Sequence, residues 1–281
     1  MKFFEKLKDA SLKCGNIACM GIDPDLDRIP VEGNVYDRIV TFYLSILDEM
    51  NKREVYPAMV KPNVAYFEQF GLDGYRALEK ITLEYRSVGL MVLLDAKRGD
   101  IDRTNKAYAK SIFEVLKCDA VTVSPYMGVE SLQPFIQYLS SGKGMYILAR
   151  TSNPGAKDFQ EQIVGDEALY ERVVRLFLEE QLNGMGFVMG GTSPDCLHKI
   201  LDQVELSQRE VSLLIPGFGA QGASTEDIRE LFGNYPSTLL LHRMNSSSGI
   251  NYAWESNPSN SSNYAKAAAS SLQNFVEHCS I

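Results

Sequence analysis

Asp23, Lys61, Asp95 and Lys97 stand at the ends of three successive apolar runs. In LLDAKRGDIDRT, residues 93–104, Asp95 and Lys97 are two apart on an extended segment. Side chains alternate along a strand, so both point to one side. Asp100 follows just past that strand, and Thr104 opens the next helix. The run before it, AMVKPN, ends in Lys61, and the run before that, GIDPD, carries Asp23. Closing an apolar run with a charge is expensive unless the charge is paired or used. A lone Asp–Lys pair reads as an ion pair that finishes a strand. Four charges at three adjacent strand ends point to a site that works by preorganised charge.

Two loops add polar groups of another kind. PGFGAQG, Pro216 to Gly222, contains a nominal dinucleotide fingerprint after the apolar run VSLLI. It follows the seventh such run, however, and Leu239–Leu241 stand where a dinucleotide fold needs an acid. A phosphate loop late in a barrel fits its place better. ARTSNPGA, Ala149 to Ala156, places Ser152 in a Ser-Asn-Pro-Gly segment that reads equally well as a plain turn.

The elements that must hold these groups alternate between strand and helix. Strands are expected near Ile17–Asp23, Ala58–Pro62, Leu90–Lys97, Ala120–Pro125, Gly144–Thr151, Gly186–Gly190, Val211–Pro216 and Ser237–Met244. Amphipathic stretches between them predict helices over Tyr36–Met50, Tyr75–Ser87, Thr104–Leu116, Glu167–Asn183 and Thr225–Phe232, with a last one over Ser262–Cys279. The opening MKFFEKLKDASLKCGN also has a helical pattern. Eight strands alternating with helices predict a closed (β/α)8 barrel, against a doubly wound sheet as the alternative. No composition shift divides residues 1–281, so one barrel domain is expected. In such barrels the chemistry lies at the C-terminal ends of the strands, where the four charges fall.

Bulk properties narrow the function classes. Net charge is 28 − 36 = −8, which disfavours nucleic acid or an anionic membrane as a partner. No apolar run reaches the roughly 18 residues of a membrane span, and the N-terminus has no signal-peptide core. Five cysteines without a CxxC, and three scattered histidines, predict neither a disulfide framework nor a metal site. A cytoplasmic enzyme acting on a small molecule is the expectation.

The segment D-x-K-x-x-D-I-x-x-T, matched by Asp95, Lys97, Asp100, Ile101 and Thr104, resembles the signature of orotidine 5'-phosphate decarboxylases. VKPN with Lys61 and GIDPD with Asp23 look like that family's two upstream segments. The chain length and SPYMG at Ser124–Gly128 resemble its longer bacterial type. The resemblance implies a cofactor-free TIM barrel that converts orotidine monophosphate to UMP. It implies an alternating array of Lys61, Asp95, Lys97 and Asp100, with Asp95 against the substrate carboxylate and Lys97 delivering a proton to C6. It implies a homodimer in which Asp100 and Thr104 reach the partner's site. Asp23 and Lys61 would hold ribose hydroxyls, Ser152 the pyrimidine edge, and Gln221 of PGFGAQG the phosphate.

One position departs from the resemblance. The family usually ends its eighth strand with an Arg that grips the phosphate, and MNSSSGINYA has Ser248 there. Three outcomes stay open. Ser248 and the N–H groups of Ser247 and Gly249 bind phosphate alone, Arg243 or another cation substitutes, or the chain is a weakened variant. A non-catalytic nucleotide-binding barrel and a magnesium-using sugar-phosphate decarboxylase or aldolase are the rival functions.

Overall fold

The computed structural model describes residues 1–217, 232–233, 235, 238–256 and 258–281. Eight parallel strands close into a barrel: β1 Ala18–Ile22, β2 Met59–Pro62, β3 Met91–Arg98, β4 Ala120–Val123, β5 Gly144–Arg150, β6 Met185–Met189, β7 Ser212–Pro216 and β8 Arg243–Ser246. Each pairs with its sequence neighbours, and β8 closes the ring on β1 through Ala18–Met244, Cys19–Asn245 and Met20–Ser246. The expected (β/α)8 barrel is therefore present, and the doubly wound sheet is not.

The helices form where apolar residues recur at helical spacing. Val35–Arg53 starts at Asn34, whose side chain accepts the Asp37 N–H, and it buries Ile39, Phe42, Tyr43, Ile46 and Met50 against the barrel. Pro194–Ser207, between β6 and β7, was not singled out in the sequence. Its signals are proline at the first turn and buried Leu197, Ile200, Leu201 and Val204. The expected helix over Thr225–Phe232 and the phosphate-loop residue Gln221 lie outside the described residues, apart from Phe232. Among the described residues, no helix is long and apolar enough to cross a membrane.

The N-terminal helix Phe3–Cys14 plugs the floor of the barrel. Its Phe3, Phe4 and Leu7 pack with Cys19, Tyr146 and Leu214, which point inward from the strands. Gly144 makes room for this, because a Cβ there would stand 2.3 Å from the Phe3 ring.

The eighth strand corrects its expected position. Ser237–Met244 was expected, but Leu239–Leu241 forms a 3-10 turn closed by Leu241 N–H to Thr238 O (2.9 Å). That turn drops the buried Leu241 into the floor cluster, so β8 begins only at Arg243 and runs on to Ser246. Arg243 is therefore at the N-terminal end of its strand, and Asn245 and Ser246 reach the C-terminal rim.

Candidate active site

β2 and β3 bring three charges into one group at the C-terminal mouth. Lys61 Nζ donates to Asp95 Oδ2 at 3.0 Å, and Lys97 Nζ donates to Asp95 Oδ1 at 2.8 Å. Lys61 and Asp95 are 5% and 8% exposed, so the pair is shielded from water, whereas the Lys97 side chain is about half exposed. Burial alone would push the Asp95 carboxyl up. Lys61 and then Lys97 outweigh it and hold Asp95 far below the usual carboxylate range. Burial likewise pulls Lys61 down, but Asp95 and then Asp23 raise it overall. Asp95 stays an anion and Lys61 a cation at any physiological pH.

The expected alternation brings Asp95 and Lys97 to one side, though by an irregular path. The register between β3 and β4 shifts between Leu94 and Arg98, and Lys97 has a left-handed φ of 45°. A non-glycine residue holds that conformation only when its surroundings fix it. Thr122 on β4 does so. Its Oγ1 accepts the N–H groups of Ala96 (3.0 Å) and Lys97 (2.9 Å) and donates to Asp95 Oδ1 (2.8 Å). One hydroxyl fixes both the strained backbone and the carboxylate. Thr122 was missed in the sequence, where it sits in an apolar strand and fits there by β propensity alone.

A cavity of about 610 Å³ opens beside this group. Its walls include Asp23, Lys61, Ser152, Ser247 and Ser248, so five of the expected residues share one space. Of the charged group only Lys61 lines the cavity; Asp95 and Lys97 are joined to it through the Lys61–Asp95–Lys97 contacts. Ser247 reaches the wall because residue 21 on β1 is glycine; a Cβ there would lie 1.8 Å from Ser247 Oγ. Asp23 Oδ1 and Asn245 Oδ1 are buried at this cavity without a hydrogen-bond partner among the described residues. Unpaired buried acceptors are rare and await a donor. Two acceptors here suit a ligand bearing hydroxyl or N–H groups. Asn245 was also missed, because the sequence placed it beyond the end of β8.

Asp100, Ile101 and Thr104 lie on the outer rim. The Asp100 carboxylate accepts the Ile101 N–H at 2.8 Å and forms no ion pair among the described residues. Within one chain, therefore, Asp100 does not join Lys61, Asp95 and Lys97. Thr104 is exposed, and Ile101 and Tyr126 are 60% and 90% exposed.

Arg243 does not replace the missing strand-eight arginine. Its guanidinium is fully buried at the barrel floor, bonded to Leu7 O (2.7 Å), His242 O (2.7 Å), Leu240 O (3.1 Å) and Ser11 Oγ (3.0 Å). The mouth has a different arginine that the sequence did not suggest. Arg28, in the loop after β1, lines the cavity with Tyr252 and Glu255. It forks onto Glu255 at 2.8 and 2.6 Å and lies 3.9 Å over the Tyr252 ring.

Comparison with known proteins agrees with this geometry. Residues 40–234 match the profile of the orotidine 5'-phosphate decarboxylase / HUMPS family. The chain is 38% identical over 275 residues to an orotidine 5'-phosphate decarboxylase of Christiangramia forsetii, covering 96% of each chain. It is 39% identical over 255 residues to one of Porphyromonas gingivalis, covering 89% of this chain and 88% of that one. Among solved structures, the OMP decarboxylase of Leishmania donovani superposes with a TM-score of 0.75 at 29% identity, covering 99% of this chain and 97% of that one. On the match of the profile and the near full-length relatives, this chain belongs to the orotidine 5'-phosphate decarboxylase / HUMPS family.

Proposed function

We infer that this chain is a carboxy-lyase that converts orotidine 5'-monophosphate to UMP in pyrimidine synthesis, with the charges at the barrel mouth as its machinery. The observation that carries the residue assignment is Asp95, a shielded carboxylate kept ionised between Lys61 and Lys97. A binding site for an anionic nucleotide has no use for such a carboxylate. A decarboxylase does, because it disfavours the substrate carboxylate until carbon dioxide leaves.

In this reading the bond from C6 to the carboxylate breaks and its electron pair stays on C6. The ammonium of Lys97, already close to Asp95, stabilises the developing carbanion and gives it a proton. Solvent then reprotonates the amine. Lys61 keeps Asp95 charged and, with Asp23, binds the ribose hydroxyls. Ser152 meets the pyrimidine edge, and Gln221, Ser247 and Ser248 serve the phosphate. No cofactor takes part.

The reading includes a homodimer. Asp100 and Thr104 complete the partner's site, with Ile101 beside them. The exposed Ile101 and Tyr126 around that rim support a covered surface there. Residues 1–281 act as one barrel domain, and the enzyme works in the cytoplasm.

Loss of orotidine monophosphate absorbance tests the assignment directly. Rapid turnover unaffected by EDTA is expected. Turnover that requires magnesium would instead support a metal-using relative, and UMP binding without turnover a non-catalytic barrel.

A further inference from the structure

A cation at the outer end of this cavity would grip a phosphorylated substrate more strongly than neutral donors alone. Among the described lining residues there are two, Lys61 and Arg28. Lys61 is committed to Asp95 at the inner end. Position 248, where an arginine would be expected, is an exposed serine.

Arg28 reaches the same corner from the neighbouring strand. Because the barrel is closed, β1 lies beside β8, and the loop after β1 runs against the segment after β8. Tyr252 joins the two. Its backbone N–H donates to Ser248 O at 3.0 Å, one helical turn back. Its hydroxyl donates to Asp23 O at 2.8 Å and accepts the Asp25 N–H at 2.7 Å. Its ring carries the Arg28 guanidinium at 3.9 Å. Glu255 occupies the Nε and Nη2 edge, which leaves Nη1 without a partner among the described residues. The side chains of Arg28 and Glu255 remain about one-third exposed, so the guanidinium is not sealed into packing.

We propose that Arg28 is the phosphate-gripping cation of this enzyme, delivered from the loop after β1 in place of the arginine missing at position 248. Tyr252 and Glu255 hold it in position, and Nη1 meets the 5'-phosphate. An arginine fixed by a carboxylate and a ring has fewer conformations to lose on binding than a free surface arginine. This proposal rests on the decarboxylase reading, since it is that reading which supplies a phosphate.

The test compares UMP with uridine, which lacks the phosphate, by calorimetry on wild type, Arg28→Ala, Glu255→Gln and Arg28→Ala/Ser248→Arg. Wild type should bind UMP more tightly than uridine and turn over orotidine monophosphate. If it does neither, the decarboxylase reading itself fails. Given that result, Arg28→Ala should weaken UMP by roughly 10- to 100-fold and leave uridine unchanged. Unchanged uridine affinity also shows that the variant is folded. Adding Ser248→Arg should restore much of the UMP affinity. Glu255→Gln should keep the preference for UMP, because the guanidinium remains. The proposal is overturned if Arg28→Ala leaves the ratio of UMP to uridine affinity unchanged. It is equally overturned if Glu255→Gln loses UMP as badly as Arg28→Ala, since Arg28 would then be only half of a structural ion pair. If Arg28→Ala does not fold, Arg28→Lys decides on the same ratio: a partial, phosphate-selective loss supports the proposal and an unchanged ratio ends it.

Discussion

The two ends of the barrel each bury a cation, and they treat it in opposite ways. At the floor, Arg243 spends its charge on three backbone carbonyls and the Ser11 hydroxyl, and forms no ion pair among the described residues. At the mouth, Lys61 meets a buried carboxylate, that carboxylate meets a second lysine, and the group borders a cavity. A charge satisfied by fixed neutral dipoles ties elements together. Here it joins the N-terminal helix to β8. A charge balanced against other charges, beside open space, stays poised to act on a ligand. Burial alone does not distinguish the two; the partners do.

Breaking the mouth should have the largest effect on chemistry. Asp95→Asn keeps the shape and removes the anion, and turnover should fall by roughly 10³-fold or more, measured by orotidine monophosphate absorbance. A smaller fall would mean that the carboxylate mainly organises the two lysines. The proposed shared site would give an effect of intermediate size. If Asp100 completes the partner's site, inactive Asp100→Ala and Lys97→Ala subunits, mixed and exchanged, form heterodimers with one intact site. At equal amounts about one quarter of wild-type activity should return. No return after exchange has been verified by mass spectrometry would place Asp100 outside the partner's site.

At the floor the expected loss is in stability. Arg243→Met leaves buried carbonyls without their donor, and unfolding should become easier by about 3 kcal/mol in denaturant titrations. Turnover per folded molecule should stay near wild type, because the hydrogen-bond partners of Arg243 among the described residues all lie at the floor. The smallest effect per step is a slope in pH. His242, beside Arg243, is pushed down to about 3 from 6.5 by burial and then by the arginine charge. Its Nδ1 accepts the Leu213 N–H at 3.1 Å, so the neutral ring carries its proton on Nε2, facing Thr238 Oγ1 at 3.0 Å. The unfolded chain takes up a proton below 6.5 that the folded one refuses until about 3. Stability is therefore full above pH 6.5 and is lost as pH falls through that window, by at most about 1.4 kcal/mol per unit from this residue. His242→Gln should flatten that slope between pH 6 and pH 4. An unaltered slope would assign it to other groups.

The mouth was largely legible in the sequence, and the floor was not. Asp23, Lys61, Asp95 and Lys97 interrupt apolar runs, and interruption is visible in one dimension. Arg243 looked similar, a cation in the last strand. Its direction depends on where β8 begins, and the Leu239–Leu241 turn moves that point so that Arg243 starts the strand. The same shift hid Asn245. Thr122 was hidden by fitting its strand too well. Arg28, Tyr252 and Glu255 were hidden by closure itself, because the Arg28–Glu255 contact spans 227 residues and exists only where β8 returns to β1.

The most direct test of the central claim is the turnover of Lys97→Ala on orotidine monophosphate, with melting temperature and assembly measured on the same sample. If the mouth performs the chemistry as argued, turnover disappears while the fold and the wild-type assembly remain. Substantial residual turnover in a folded, normally assembled Lys97→Ala variant would contradict Lys97 as the proton donor, and with it the assignment of the charged group as the catalytic centre.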